Sequence, residues 1–307
     1  MKVFLTGATG YIGSVVAEKL KGKGHQVLGL ARNEAAEAKL REKGIEPLRG
    51  DLKDVESLKR GASETDATIH TAFIHDFSDY DGAVKTENQA IAAFAEALAN
   101  RNKPFIATSG AAFLGDTKET TADEDFPYDR NSPFFSRAES EQDAIKMSQK
   151  GVRSVVLRLP SFVYGRGGSS FVPFMIGQAQ ENGAANYIGA GNKRVSAVHV
   201  EDAADLYVLA LETSTAKGLY NVSAETISLR ELNEAIARLL DVKAQSISLE
   251  EGRKQFGALF GFFSINNQLS SEKAHRELGW RVNANRTITD DIENGSYRNL
   301  ANQGEIK

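Results

Sequence analysis

Over its first 160 residues the chain switches repeatedly between two hydrophobic periods. Short apolar runs at 2–7, 26–32, 45–51, 67–73, 104–110 and 153–160 have the length and composition of strands. Between them, 34–43, 54–61, 82–100 and 136–150 read as helices. So does 11–21, where Ile12, Val15, Val16 and Leu20 share one face and Gly22 and Gly24 follow as stops. Strands that alternate with helices of this length imply right-handed crossovers and a parallel sheet covered on both faces. Several runs are apolar almost throughout, as buried parallel strands are. The predicted fold is α/β, a doubly wound parallel sheet.

After residue 160 the rhythm changes. Residues 164–170 (YGRGGSS) form a glycine-rich loop, 194–212 read as a strand feeding a helix, and 219–223 as a further strand. Ser228, with Glu231 three residues on, has the spacing of a capping box at the head of a helix over 228–240. A short helix is expected over 270–280. There is no repeat, low-complexity tract or clean linker. The expected organisation is a dinucleotide-binding domain over 1–165, to which 194–223 return. A smaller, interwoven C-terminal substrate lobe consists of 166–193 and 224–307.

The chemistry begins at the first strand, which runs into Gly7, Gly10 and Gly13. The helix behind them presents unpaired N–H groups and the positive end of its dipole, a natural seat for a diphosphate. Gly7 allows the tight strand exit, Gly10 the close approach of the ligand, and Gly13 the packing of helix on strand. The strand–glycine–helix context is that of a Rossmann dinucleotide site. At the end of the second strand an NAD site usually offers a carboxylate to the ribose. Here the residues are Leu30, Ala31, Arg32 and Asn33. Arg32 suits a 2′-phosphate, which favours NADP over NAD.

Composition narrows the rest. The 307 residues are 41% hydrophobic and 25% charged, an ordinary profile for a soluble globular chain. Net charge is −4 and no Lys/Arg run forms a patch, so nucleic acid is not an expected partner. With no cysteine, disulfides, thiolate nucleophiles and Cys-ligated metals are excluded, and a cytoplasmic location is expected. A strand starting at Lys2 leaves no room for a signal peptide, and no apolar stretch is long enough for a membrane span.

The chain resembles the extended short-chain dehydrogenase/reductase family, the NAD-dependent epimerase/dehydratase group, over nearly its full length. The resemblance rests on Thr6-Gly7-Ala8-Thr9-Gly10-Tyr11-Ile12-Gly13, Gly50-Asp51-Leu52, His70-Thr71-Ala72 and Thr108-Ser109-Gly110. Further on it rests on Leu157-Arg158-Leu159-Pro160, Val163-Tyr164-Gly165, His199-Val200-Glu201-Asp202 and Glu277-Leu278-Gly279-Trp280. By that resemblance Asp51 and Leu52 flank the adenine, and Thr71, Ala72 and Phe73 line the ribose and diphosphate. Pro160 and Phe162 lie near the nicotinamide. Thr9, Tyr11 and Ile12 belong to the phosphate turn with its glycines.

The family's chemistry uses Tyr-x-x-x-Lys with a Ser or Thr, and this chain departs from it. None of its eight tyrosines has a Lys four residues on. In the expected place, Phe135 at the Tyr position puts Glu139 at the Lys position, and Arg137 at the Lys position puts Pro133 at the Tyr position. Ser109, at the end of the fifth strand, is the surviving candidate to hydrogen-bond a carbonyl. Arg137 is a candidate to hold the nicotinamide ribose or a substrate anion, and Tyr164 a substitute donor.

The stretch 70–81 also collects His70, His75, Asp76, Asp79 and Tyr80. It reads as a polar loop, with His75 or Tyr80 as possible proton donors; its spacing matches no metal site. His199 reads as structural. The aromatic stretch 256–264 is core, a pocket wall or a subunit contact, the last compatible with a homodimer. The resulting expectation is an NADP-dependent oxidoreductase of a small carbonyl or alcohol with a non-standard proton-transfer site. The alternatives are a catalytically silent NADP(H) sensor and a sugar-nucleotide epimerase/dehydratase.

Overall fold

The structure, a computed structural model, describes residues 1–75 and 79–301. The apolar runs form β1 (Lys2–Thr6), β2 (Gln26–Ala31), β3 (Glu46–Arg49), β4 (Ala67–His70), β5 (Pro104–Gly110) and β6 (Arg153–Leu159). They pair in parallel in the order β6-β5-β4-β1-β2-β3. The chain then leaves this sheet for β7 (Phe162–Tyr164), β8 (Ala184–Ile188) and β9 (Arg194–His199). It returns as β10 (Gly218–Asn221), which pairs in parallel outside β6 and completes seven strands. With β11 (Glu225–Ser228), β7 and β9 make a three-stranded sheet; β8 and β12 (Lys243–Ile247) make a two-stranded one.

The helices of the first half are α1 (Tyr11–Gly22), α2 (Glu34–Glu42), α3 (Val55–Ser63), α4 (Tyr80–Leu98) and α5 (Ser136–Lys146). In the second half come α6 (Phe171–Asn182), α7 (Val200–Glu212) and α8 (Leu229–Leu240). Alternation along β1 explains the two layers. Val3 and Leu5 join Val16 of α1 and Leu206 of α7 in one core, while Phe4 joins Leu58 of α3 and Phe94 of α4 in another. A third core, around Phe162, Ile176, Leu232 and Phe263, belongs to the second lobe. Ser228 and Glu231 close the reciprocal capping box at α8.

Of the segment 194–223, β10 joins the main sheet and α7 packs on it. β9 pairs with β7 and β11 instead, and the return is made by α7 and β10. The cause is that β9 serves two cores. Val195 and Ala197 face the second lobe, whereas Val198 faces the first. Among the described residues no helix is long and apolar enough to cross a membrane.

Behind the sheet's C-terminal edge lies a fully buried ion pair. Arg158 of β6 donates from Nε to Glu141 of α5 at 3.0 Å, and both side chains are 0% exposed. The Tyr128 hydroxyl donates to the same carboxylate, and Asn221 Oδ1 accepts from Arg158. Removing one member of such a pair strands the other in a low-dielectric interior. Glu141→Leu should lower the unfolding free energy by about 3–5 kcal/mol. Adding Arg158→Met should recover most of that loss, as urea titrations of both variants would read. A double variant as unstable as the single one would contradict this account of the pair.

Candidate active site

In the order 3-2-1-4-5-6 the sheet changes direction between β1 and β4, the position at which such sheets bind ligands. The phosphate turn and the segment 71–75 leave the sheet there. Gly7 takes φ +73°, a conformation that side chains resist. A Cβ at Gly13 would stand 2.7 Å from the Gly7 carbonyl carbon and 2.7 Å from Thr71 Oγ1, so only glycine lets α1 pack this close. At Gly10 the nearest atom to such a Cβ is the Gly7 oxygen at 3.1 Å; that side of the turn faces the cleft. Neighbouring α2 and α3 are capped by the side chains of Asn33 and Asp54. By contrast, α1 has no side-chain cap and no acidic residue in its first turn. Its leading amides therefore remain for an outside acceptor, and the cradle fits a diphosphate.

A cleft of about 990 Å³ starts at this turn, within the size range of small-molecule and cofactor sites. It brings together Gly7, Thr9, Gly10, Tyr11, Ile12, Gly13, Arg32, Asp51, Leu52, Thr71, Ala72, Phe73 and Pro160, together with Ser109 and Arg137. At one end stand Arg32 and Asp51, joined by Lys53, whose amide donates to Asp51 at 2.9 Å. Tyr11 does more than line the turn. Its hydroxyl donates to the Gly165 carbonyl at 2.8 Å, tying the 164–170 loop to the first helix. The far end of that loop is held at Gly168, whose carbonyl accepts from the Tyr297 hydroxyl.

Two expected residues are not in the cleft. Phe162 points into the second-lobe core, 5.4 Å from the ring of Phe171, because alternation along β7 gives the cleft to Val163. Tyr164 shares the parity of Phe162 and is likewise turned away. Its hydroxyl lies 2.8 Å from Glu225 Oε1 and 2.9 Å from the Arg286 carbonyl oxygen, where it ties lobe segments together and cannot serve as a donor in the cleft. His199 caps α7 by accepting from the Glu201 amide, and Trp280 donates to the Asp202 carbonyl. Both act as anchors.

Ser109 lines the cleft, is 4% exposed, and its hydroxyl has no hydrogen-bond partner among the described residues. A buried hydroxyl in that state is a group waiting for an acceptor or donor from outside the chain. Arg137 donates from Nε and Nη2 to the two oxygens of Glu87, at 3.1 and 3.3 Å, and its guanidinium stacks 3.9 Å above the Phe73 ring. Tyr80, the first residue of α4, lines the same region, as does His75. Burial pushes the Tyr80 phenol up to about 12, with Arg137 pulling the other way. Burial and then Arg137 push the His75 imidazole down, so that ring is neutral.

Sequence reasoning passed over Phe134, Phe171 and the backbone turn at Ala111 and Ala112, all of which line the cleft. It aligned Phe135, yet Phe134 faces the cleft and Phe135 packs on a small core with Phe113. Of the aromatic stretch 256–264, Phe256 and Phe263 are core and Phe262 is cleft wall. Asp76 lies outside the described residues. Among the described residues no three His, Asp or Glu side chains gather as a metal would need.

His70 ends β4 directly beneath the cradle, with Nδ1 2.7 Å from Thr6 Oγ1. Burial, and next the charge of Arg137, push its imidazole from 6.5 down to about 4. The unfolded chain therefore takes up this proton first as pH falls. The stability due to a neutral His70 is complete above about pH 6.5 and is lost as pH drops through that window toward about 4. Thermal unfolding followed from pH 7 to 4 should show this loss, and His70→Gln should reduce the slope by close to one proton. An unchanged slope would contradict the buried neutral ring.

Comparison with known proteins agrees with this fold. The model of the NAD dependent epimerase/dehydratase family matches residues 3–223. An uncharacterized protein of Schizosaccharomyces pombe is 40% identical over 299 residues, covering 97% of this chain and 100% of that one. A 4-hydroxy-2-methyl-3-oxo-4-farnesyl-3,4-dihydroquinoline-1-oxide ketoreductase of Stigmatella aurantiaca is 26% identical over 256 residues, covering 80% of this chain and 75% of its own. Among solved structures, the dTDP-glucose 4,6-dehydratase DesIV of Streptomyces venezuelae shares the fold with a TM-score of 0.80 at 20% identity, over 99% of this chain and 98% of that one. The chain belongs to the NAD-dependent epimerase/dehydratase family.

Proposed function

We propose that this protein is an NADP(H)-dependent oxidoreductase that interconverts a small carbonyl compound and its alcohol. One observation carries the reading: a single cleft runs from the diphosphate cradle to Ser109, Arg137 and Tyr80. When bound, a reduced nicotinamide cofactor supplies the hydride and is itself oxidised. The carbonyl carbon gains that hydride, its π pair moves to oxygen, and the oxygen takes a proton to complete the alcohol. Ser109 donates a hydrogen bond to that oxygen and orients it. Arg137, always protonated, faces the charge that builds there. Tyr80 delivers the proton, since a phenol held at about 12 still carries it at neutral pH. In this arrangement the donor comes from α4 and the cation from α5, whereas the family pattern takes both from one helix.

Arg32 and Lys53 at the adenosine end support the phosphorylated cofactor, since both can pair with a 2′-phosphate. The sugar-nucleotide reading has less support. Such a substrate brings its own diphosphate, yet among the described residues the second lobe contributes Ser169, Ser170, Phe171 and Phe262 to the cleft and no cation. The missing Tyr-x-x-x-Lys pattern favours the silent sensor, and turnover decides between them. With aldehydes and ketones, the protein should consume NADPH. Ser109→Ala and Tyr80→Phe should each lower kcat about a hundredfold with cofactor affinity unchanged. Cofactor binding without turnover across the panel would leave the sensor. In calorimetric titrations Arg32→Ala should weaken NADPH about tenfold and NADH hardly at all; equal losses would refute the NADP assignment.

A further inference from the structure

We infer that the substrate end of the cleft is a slot for a flat, uncharged aromatic carbonyl compound. The inference rests on the oxidoreductase reading and specifies its substrate. Five rings from both lobes form a continuous arc along this end. Phe171 lies 4.8 Å from Phe262, Phe262 lies 4.7 Å from Phe134, Phe134 lies 5.3 Å from Tyr80, and Tyr80 lies 6.0 Å from Phe73. All five line the cleft. Each separation falls in the range at which aromatic rings attract one another beyond simple area burial. A flat ring entering beside them meets faces and edges already held at those spacings. A linear chain of equal carbon count gains the burial without the ring contacts, and it loses rotamer freedom on entry.

Charge is excluded on separate grounds. The cation at this end is Arg137, and Glu87 occupies it through two hydrogen bonds while Phe73 covers its face. A substrate carboxylate or phosphate would have to compete with a carboxylate that is 5% exposed and already paired. Left unpaired among five rings, that charge would be strongly disfavoured. A ketone oxygen asks for less, since one hydroxyl donor satisfies it, and Ser109 lines the same cleft.

The test compares 2-acetylnaphthalene with 2-dodecanone, which has the same number of carbons, and with the charged ketones pyruvate and benzoylformate, at saturating NADPH. The slot predicts a kcat/KM for 2-acetylnaphthalene at least tenfold above 2-dodecanone and a hundredfold above the two charged compounds. Phe134→Leu and Phe262→Leu keep the site apolar but remove rings; each should pull the aromatic-to-linear ratio toward one with NADPH affinity unchanged. A second readout needs no turnover: calorimetric titration of 1-(2-naphthyl)ethanol into the NADP⁺-saturated protein. Turnover that favours 2-dodecanone or a charged compound overturns the slot and leaves the oxidoreductase standing. No turnover, but binding of the naphthyl alcohol that Phe262→Leu weakens, overturns the oxidoreductase and supports the slot. If neither turnover nor binding occurs, the slot is refuted.

Discussion

The close pass of α1 over the Gly7 carbonyl is the constraint on which the rest of the structure depends. With no Cβ at Gly13, the first turn of the helix can sit at the seam between β1 and β4, its amides directed outward. Everything functional is arranged around that point. Thr71 bonds back to the Thr6 carbonyl, fixing the second wall of the seam, and Thr108 bonds to the His70 carbonyl, fixing the third strand beside it. The 164–170 loop, through which the chain enters the second lobe, is attached to the same turn by the Tyr11 hydroxyl. A shift of α1 away from β1 would therefore disturb the phosphate cradle and the lobe contact together.

At and behind the cleft wall the chain pairs two cations with two buried carboxylates, the partly exposed Arg137 with Glu87 and the fully buried Arg158 with Glu141. Both pairs use α5, which supplies the cation to one and the carboxylate to the other. This double anchoring fixes the rotation of α5 against the sheet, and so decides that Arg137 and Phe134 look into the cleft while Phe135 does not. Neutralisation by Glu87 also limits what Arg137 can do. It can polarise an oxygen brought near it, but it is poorly placed to hold a fully charged substrate group.

Most of the main sheet was legible because its signals are local. Apolar runs of strand length, the glycine spacing at Gly7, Gly10 and Gly13, and the Ser228–Glu231 cap each lie within a few adjacent residues. The cofactor half of the cleft followed, since consecutive turns along one sheet edge build it. The errors lay where face or distance decides. In the three-residue strand β7 parity sends Phe162 and Tyr164 away from the cleft and Val163 toward it, and nothing local in so short a strand announces which face is which. Phe171 and Phe262 converge on Phe134 from far along the chain, a contact that no periodicity records. Tyr80 was read from the sequence as a loop residue and, with His75, a candidate donor; the structure makes it the first residue of α4, which stands beside α5 with Ser136 donating to Asp81.

The most direct test of the central claim separates ligand approach from folding at one atom. Gly10 has ordinary negative φ, and a Cβ there would meet one protein atom tightly, the Gly7 carbonyl oxygen at 3.1 Å, a milder conflict than at Gly13; the residue lines the cleft at the place assigned to the diphosphate. Titration calorimetry of NADPH into the wild type and Gly10→Val, with melting temperatures of both and of Gly13→Val measured alongside, asks whether a dinucleotide sits there. The account predicts micromolar binding to the wild type and at least a hundredfold loss in Gly10→Val, with a drop in melting temperature much smaller than that of Gly13→Val. Undiminished binding by the variant, or no heat from the wild type with either NADPH or NADH, would contradict it.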